Sequence, residues 1–422
     1  MHTKHILCLV LLLLGLSTSK SADDSEAGFV PLFDGKSLAG WKLMHGKGPG
    51  YIVQDGMLIC PENGGGNLFT ERQYTDFAFR FEFQLKTNSN NGIGIRAPLE
   101  GAIHYVGMEI QVLDDAGPQW AGKLKPAQYH GSLYDVIPAK QGALRKTSEW
   151  NEQEIRCIGR KITVTLNDQL ILDADINTVT DPNTLAAHPG LLRERGHIGF
   201  LGHDAFVAYR NIRLKDLSRT QPVNTPPAGF VSLFNGKDLS GWQGLIEIHK
   251  RAKMSVEDRA RAQAKADKNI PQNWQVEDGT IAHIGKGFEN LCTEKDYGNF
   301  ELWVDWLTER KADSGLYLRG YPQVQIWAEP VGSGGLFNNK KHRSEPTKRA
   351  DKPLGNWNNF KILMQGDRVT VYLNEELVAH NIPLENYWDR DKPIFPVGPI
   401  ELQAHEDPVR FRNIYIRELP NR

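Results

Sequence analysis

The segment at 28–41, GFVPLFDGKSLAGW, returns at 229–242 as GFVSLFNGKDLSGW. One folding unit is therefore encoded twice, and any fold assigned to the chain must be one that occurs twice in it. The echo runs on: YIVQDGML (51–58) answers to WQVEDGTI (274–281), and NGIGIRA (91–97) to SGLYLRG (314–320). WNEQEIRCIGRKITVTLNDQLIL (150–172) pairs with WNNFKILMQGDRVTVYLNEELVA (357–379), and HDAFVAYRNIRLKDL (203–217) with HEDPVRFRNIYIREL (405–419). A period of about 200 residues is too long for a solenoid unit and long enough for each copy to bury its own core. The expected organisation is a first copy at 28–217, a linker at 218–228 and a second copy at 229–419. The stretch around that linker, DLSRTQPVNTPPAG, is rich in Pro, Thr and Asn and reads as a short extended connection.

At the N-terminus, Lys4 and His5 precede an apolar run from Ile6 to Leu16, followed by small and polar residues to Ala22. That run is too short to cross a bilayer and has the tripartite shape of a secretory signal peptide at 1–22, so cleavage near Ala22 and an extracytoplasmic mature protein with no membrane span are expected. Cleavage removes Cys8 and leaves Cys60, Cys157 and Cys292, an odd number. Cys60 and Cys157 sit in apolar strand patterns and read as small buried hydrophobes. A formal net charge of -1 without a clustered basic stripe argues against a nucleic-acid partner.

Local patterns read as strand. Phe77, Phe79, Phe81, Phe83 and Leu85 alternate with Ala78, Arg80, Glu82 and Gln84, the period of two expected when one face is buried, and Phe300, Leu302, Val304 and Trp306 keep it in the second copy. Asp55-Gly56 and Asp278-Gly279 lie between strands and suit tight hairpin turns, as do Asn167-Asp168 and Asn374-Glu375. With helical periodicity scarce, the fold class is all-β, two tandem antiparallel sandwiches or jelly rolls. The exception is an insertion in the second copy containing MSVEDRARAQAKADKN (254–269), where Ser255 and Asp258 make a capping-box-like start to a helix. Two readings stand for that helix: a solvated surface element, or a lid over a neighbouring cleft.

The same alternation that sends Ile93, Ile95, Met108, Ile110, Val112, Ile198 and Phe200 to the core sends Arg96, Glu109, Gln111, His197 and His203 to the opposite face. The second copy sends Arg319, Gln323, Gln325, Glu401, Gln403 and His405 the same way. A wet outer face accounts for any one of these. It accounts less well for an Arg, a Gln and a His recurring together where outward residues elsewhere have diverged, as Arg80 has to Trp303.

The opening F-x-x-L-F-[DN]-G-K-x-L-x-G-W, EIQVLD (109–114), HGSLYD (130–135), the Trp-Asn pair at 150 and the closing H-x-x-x-V-x-[YF]-R-N-I together resemble the 3-keto-disaccharide hydrolase family, also described as 3-keto-glucoside 1,2-lyase and 3-keto-2-hydroxyglucal hydratase. The likeness spans both copies. It implies a concanavalin-A-like jelly roll, exported in bacteria to the periplasm or medium, acting on an oligosaccharide or other glycoside oxidised at C3. A ketone at C3 acidifies the C2 proton, and the glycosidic oxygen lies β to it. A base can then remove that proton and expel the aglycone, and water adding back makes the net result hydrolysis. Such a site needs a base, a donor for the enolate oxygen and an acid for the leaving group, and no carboxylate pair of the ordinary glycosidase kind.

In the first copy Glu109 or His130 is the expected base, Arg96 and His203 attend the oxyanion, and Tyr134 or Asp135 donates the proton or contacts the sugar. In the second copy Glu109 becomes Gln323, His130 falls opposite Ser333, Tyr134 becomes Phe337 and Asp135 becomes Asn338, while Arg319, Gln325 and His405 remain. The first copy is accordingly expected to be catalytic, with Gln111, Tyr134, Arg319, Gln325 and His405 as sugar contacts. The second copy is then either a sugar-binding partner, helped by Trp303, Tyr317, Trp327 and Trp388, or a further site with Glu401 or His405 as base.

Two other functions compete. A retaining glucanase would want E-x-D-x-x-E, but Gln111 replaces the middle Asp and Asp114 the distal Glu. A lectin-like module would bind glycans without turnover. No cofactor is firmly implied. Asp114, Asp115 and Asp135 could hold a structural calcium, although adjacent aspartates in a loop more commonly serve as turn residues. GGGN (64–67) lacks the context of a nucleotide loop.

Overall fold

The structure, a computed structural model, describes residues 26–218, 220–320 and 322–420. The leader read at 1–22 lies outside the described residues. In the first copy an eight-stranded antiparallel sheet runs Gln169–Asp175, Lys161–Leu166, Trp150–Ile158, Phe77–Leu85, Val207–Asp216, Met57–Cys60, Ile52–Gln54, with Val30–Pro31 paired to Val207–Asp216. A five-stranded sheet faces it in the order Trp41–Lys47, Gly65–Thr70, His197–Gly202, Asn90–Ala97, Met108–Leu113. The second copy repeats the plan with an eight-stranded sheet centred on Asn299–Leu307 and Pro408–Leu419. Its smaller sheet runs Trp242–Gly244, Leu291–Thr293, Ile400–Leu402, Asp313–Leu318, Gln323–Trp327, Leu336–Phe337.

Period-two patterning makes these sandwiches. Phe77, Phe79, Phe81 and Phe83 are completely buried; Phe79 lies 6.2 Å from Phe200 of the facing sheet, and Phe81 5.8 Å from Tyr209 of the adjacent strand. Each such ring contributes about 2–3 kcal/mol by leaving water. Turn chemistry fixes the register: Asp55 and Gly56 have φ of 52° and 76°, Asp278 and Gly279 49° and 71°, the positive pair a two-residue hairpin loop demands. The repeated opening motif is likewise a folding device. Asp34 and Asn235 accept the backbone N–H groups two and three residues on, and the indole N–H of Trp41 and of Trp242 donates to the carbonyls of Leu32 and Leu233.

The two sandwiches are locked together. Glu301, fully buried on the outer face of the second eight-stranded sheet, lies between Arg417 of its own copy (2.7 Å) and Arg160 of the first (3.1 Å). Beside it Trp303 packs on Phe230 with ring centroids 4.5 Å apart, and Arg193 reaches across to the carbonyl of Glu375. Trp303 is therefore part of this joint, and its candidacy as a sugar platform is withdrawn. The linker is held too, since Asn224 and Asn413 exchange backbone and side-chain hydrogen bonds of 2.7 and 2.9 Å.

The insertion of the second copy forms helices Ile248–Arg251 and Val256–Asn273, the latter capped by Ser255, whose hydroxyl accepts from the Asp258 N–H. It packs on the edge strand Trp242–Gly244, where the Gly244 N–H donates to Asp267 and Gln263 donates to the Gly244 carbonyl. Cys60, Cys157 and Cys292 are buried free thiols. Among the described residues no helix is long and apolar enough to cross a membrane.

Candidate functional site

The outer face of the five-stranded sheet gathers several of the residues singled out by strand phase. Glu109 projects from Met108–Leu113 and folds over Gly92, where an added Cβ would lie 1.9 Å from its Oε1. Its other carboxyl neighbour is the ring of His203, Nε2 to Oε1 4.0 Å. Burial, reinforced by the negative charge of Asp135, pushes the Glu109 carboxyl up to about 8. Burial also lowers the His203 imidazole, with His104 and Lys47 acting in the same direction. At neutral pH the pair is thus a protonated acid beside a neutral imidazole.

The segment after the sheet edge closes the cluster. Tyr134 donates its backbone N–H to the Glu109 carbonyl at 2.9 Å, and the Gln128 amide donates both to the Tyr134 hydroxyl (3.3 Å) and to Asp135 Oδ1 (2.9 Å). The edge of the Tyr134 ring meets His104, centroids 5.6 Å apart, and burial together with nearby His188 lowers the His104 imidazole. On the neighbouring position of the sheet, Gln111 donates to Asn90 at 3.2 Å. His104 has no partner in the repeat comparison because ten residues lie between Ala97 and Met108, whereas one lies between their counterparts Gly320 and Pro322. The interruption of the repeat after residue 97 was its signal.

Two expected members stand elsewhere. Arg96 has φ of 48° at a shift in strand register, which turns its side chain out of the alternation. Its guanidinium, 1% exposed, donates to the Thr75 carbonyl at 3.0 Å and lies 3.5 Å from Asp76. Arg319 does the same in the second copy, with φ of 54° and a hydrogen bond to the Pro396 carbonyl at 2.8 Å. The recurrence of this Arg follows from the fold, and neither guanidinium joins the outer-face cluster around Glu109 or Asp313.

His130 lies in the core. It stacks on Phe83 at 5.2 Å, its Nδ1 accepts the Leu113 N–H at 3.2 Å, its Nε2 meets Gln153 Oε1 at 2.9 Å, and burial pushes it down to about 4. Ser333 accepts the equivalent strand N–H, that of Trp327, at 2.9 Å. His130 is therefore a strand-capping residue and is removed as a candidate base. Where its ring would stand, the second copy has a cavity of about 340 Å³ bordered by Ser333 and Trp306. His197 is also committed, to the Thr70 carbonyl at 2.6 Å.

The second copy retains more acid–base equipment on this face than its Gln323 implies. With Glu109 changed to Gln323, Asn90 has changed to Asp313, so a carboxylate has moved to the adjacent strand. Asp313 accepts from Gln325 at 2.7 Å and lies 3.9 Å from His405 Nδ1, and burial raises its carboxyl. Gln323 turns to Gln403 at 2.5 Å. Each copy thus sets a carboxyl near an imidazole, with a Gln alongside, on the outer face of its smaller sheet. Among the described residues no three His, Cys, Asp or Glu side chains converge as a metal site. Asp114 accepts the Asn88 N–H at 2.8 Å, the turn role that competes with a calcium.

Two antiparallel sandwiches in tandem, each with a polar, acid-bearing face on its smaller sheet, place the chain in the class of all-β, two-domain proteins. The chain belongs to the 3-keto-alpha-glucoside-1,2-lyase-like domain family, whose model matches residues 28–215 and again 229–417. It is similar to a 3-keto-disaccharide hydrolase of Bacteroides thetaiotaomicron, 28% identical over 231 residues that cover 45% of this chain and 79% of the relative. Among solved structures, a protein of Parabacteroides distasonis described as a glycosyl hydrolase is 25% identical over 45% of this chain and 99% of its own, with a TM-score of 0.39. The carbohydrate-binding module CBM66 of Bacillus subtilis is 11% identical over 42% of this chain and 95% of its own, with a TM-score of 0.27. The chain is thus a member of a hydrolase-type, carbohydrate-active family in two tandem copies.

Proposed function

We propose that the first copy cleaves 3-keto-glycosides by elimination across C1–C2 followed by rehydration. The observation that carries this reading is Glu109, a buried carboxyl raised to about 8 and set 4.0 Å from His203 on a polar sheet face. A base of that strength is matched to abstracting a carbon acid near neutral pH. Glu109 takes the C2 proton, the C–H electron pair forms the C1–C2 double bond, and the C1–O bond breaks. The enolate at O3 is met by N–H donors from the neutral His203 and His104, filling the place first expected of Arg96. Tyr134 passes a proton to the departing oxygen, while Asp135, held by Gln128, orients it. Water then adds at C1 and gives its proton back to Tyr134 as Glu109 returns its own to C2, and the sum is hydrolysis.

Export to periplasm or medium belongs to the same proposal and rests on the pattern of residues 1–22. The test is release of aglycone from a 3-keto-glucoside and from the plain glucoside by wild type, Glu109→Gln and His203→Ala. Ketone-dependent release, reduced about 10²–10⁴-fold by Glu109→Gln, is expected. Release from the plain glucoside would point to a glucanase, and binding without release to a lectin.

A further inference from the structure

The smaller sheet of the second copy carries a buried carboxyl for which the first copy has no counterpart. Glu401 projects outward from Ile400–Leu402 and is 4% exposed. With the closing motifs superposed, Glu401 falls on Gly199 and Gln403 on Leu201, while Tyr317 falls on Gly94 and Cys292 on Phe69. In the first copy that place is filled with hydrocarbon. A Cβ on Gly94 would meet Ile103 at 3.2 Å and Leu201 at 3.3 Å, and one on Gly199 would meet Phe69 at 2.4 Å. The fold therefore requires nothing acidic here.

In the second copy the same place is a cavity of about 210 Å³ whose polar lining includes Glu401, Tyr317, Tyr387 and Asn290, with Glu247 and Trp388 at its walls. Asn290 is fixed by accepting the Ala404 N–H at 3.0 Å and donates to Glu401 at 3.3 Å. Trp388 is 48% exposed and braced by Tyr387 and His249 at centroid distances of 4.8 and 4.6 Å. A second cavity, of about 430 Å³, shares Leu245, Glu247 and Asn290 with the first and runs on beneath the Val256–Asn273 helix. The first volume is smaller than the roughly 300–1,000 Å³ of drug-sized pockets and suits one ring, with the second left for a substituent.

We propose that this cavity is a second carbohydrate site, taking one six-membered sugar ring against Trp388 with its hydroxyls bonded to Glu401 and Asn290. It rests on the carbohydrate-active reading of the chain but not on chemistry at Glu109. Among the groups facing Glu401, burial and then Glu247 raise its carboxyl to about 8, while the Asn290 bond and Arg251 work against them. Burial raises Tyr317, Tyr387 and Cys292 as well, and all three stay protonated at neutral pH. Glu401 accordingly offers an O–H donor to a sugar oxygen at neutral pH and loses it above about pH 8.

The test is calorimetric titration of full-length Glu109→Gln protein, whose turnover is expected to fall about 10²–10⁴-fold, with methyl α-D-glucopyranoside and with its 3-keto derivative. One saturable millimolar site is expected for methyl α-D-glucopyranoside, and for the 3-keto derivative the same site beside that of the first copy. It should weaken at least tenfold on adding Trp388→Ala or Glu401→Ala, persist with Glu401→Gln, and in the parent weaken as pH passes about 8. Trp388 is exposed enough that its truncation spares the core. Binding unaffected by both truncations, binding abolished by His203→Ala alone, or no binding would overturn the proposal. Aglycone release separates it from the first copy's role. Release that survives Glu401→Ala and fails with Glu109→Gln keeps both proposals, and the reverse pattern overturns only the role of Glu109.

Discussion

Replacing Glu109 with glutamine should move activity and stability in opposite directions along the pH axis. In the folded protein the carboxyl keeps its proton to about pH 8, whereas the unfolded chain releases it near 4.5. Below that lower value both states are protonated and the group's stability is fully present. As pH rises, the unfolded state ionises first and is favoured, and the loss is complete once pH passes the folded value. At about 1.4 kcal/mol per unit, the shift sets a ceiling of about 5 kcal/mol on the penalty carried by wild type at high pH. Glu401 carries the same burden in the other copy. Urea denaturation should therefore find Glu109→Gln more stable than wild type at about pH 9.5, by up to that ceiling, and within about 0.5 kcal/mol of it at about pH 4. Over the same range wild-type cleavage of a 3-keto-glucoside should climb to a plateau near pH 8, and the variant should lose that limb. Equal stabilities at both pH values, or a wild-type rate already at its plateau near pH 5, would refute the assignment of Glu109 as a buried base.

Other expectations follow from the same geometry. Glu301→Ala strands two buried guanidinium groups at the joint and should cost about 3–5 kcal/mol in denaturant titration, whereas changing Arg160, Glu301 and Arg417 together to leucine should cost far less. Gly92→Ala should displace the Glu109 carboxyl, because the added Cβ would stand 1.9 Å from Oε1, and cut turnover with the thermal midpoint nearly unchanged. His130→Ser should retain the acceptor for the Leu113 N–H but empty the space over Phe83, lowering stability by about 2–4 kcal/mol while leaving the pH–rate profile in place.

Repetition and period two made the sandwiches legible before any coordinates: the Phe77-to-Leu85 ladder, the Asp-Gly turns and the Ser255 cap all depend on neighbours a few residues away. The site was legible only where strand phase is unbroken. Glu109, Gln111 and His203 fall on one face as alternation requires, but Arg96 and Arg319 sit at positive φ, and a single such residue inverts the side on which a side chain emerges. His130 lies in a loop, where alternation says nothing, and its place in the core is decided by Phe83 and Gln153 from other strands. Position-by-position comparison of the copies registered the loss of Glu109 as a loss of acid. Only the pairing of adjacent strands shows Asp313 taking up the charge next door. Trp303 has the phase of an outward residue, and no local pattern reveals that one sandwich will cover another.

The clasp around Glu301 has a consequence for how such a tandem protein can change. It draws on one broad sheet of the second half and on loops of the first, and on neither of the two faces that offer acids and imidazoles. Alterations that retune what each half recognises therefore leave the fastening between them untouched. A designer could exchange the chemistry of one half for another specificity and still expect the pair to travel as a unit.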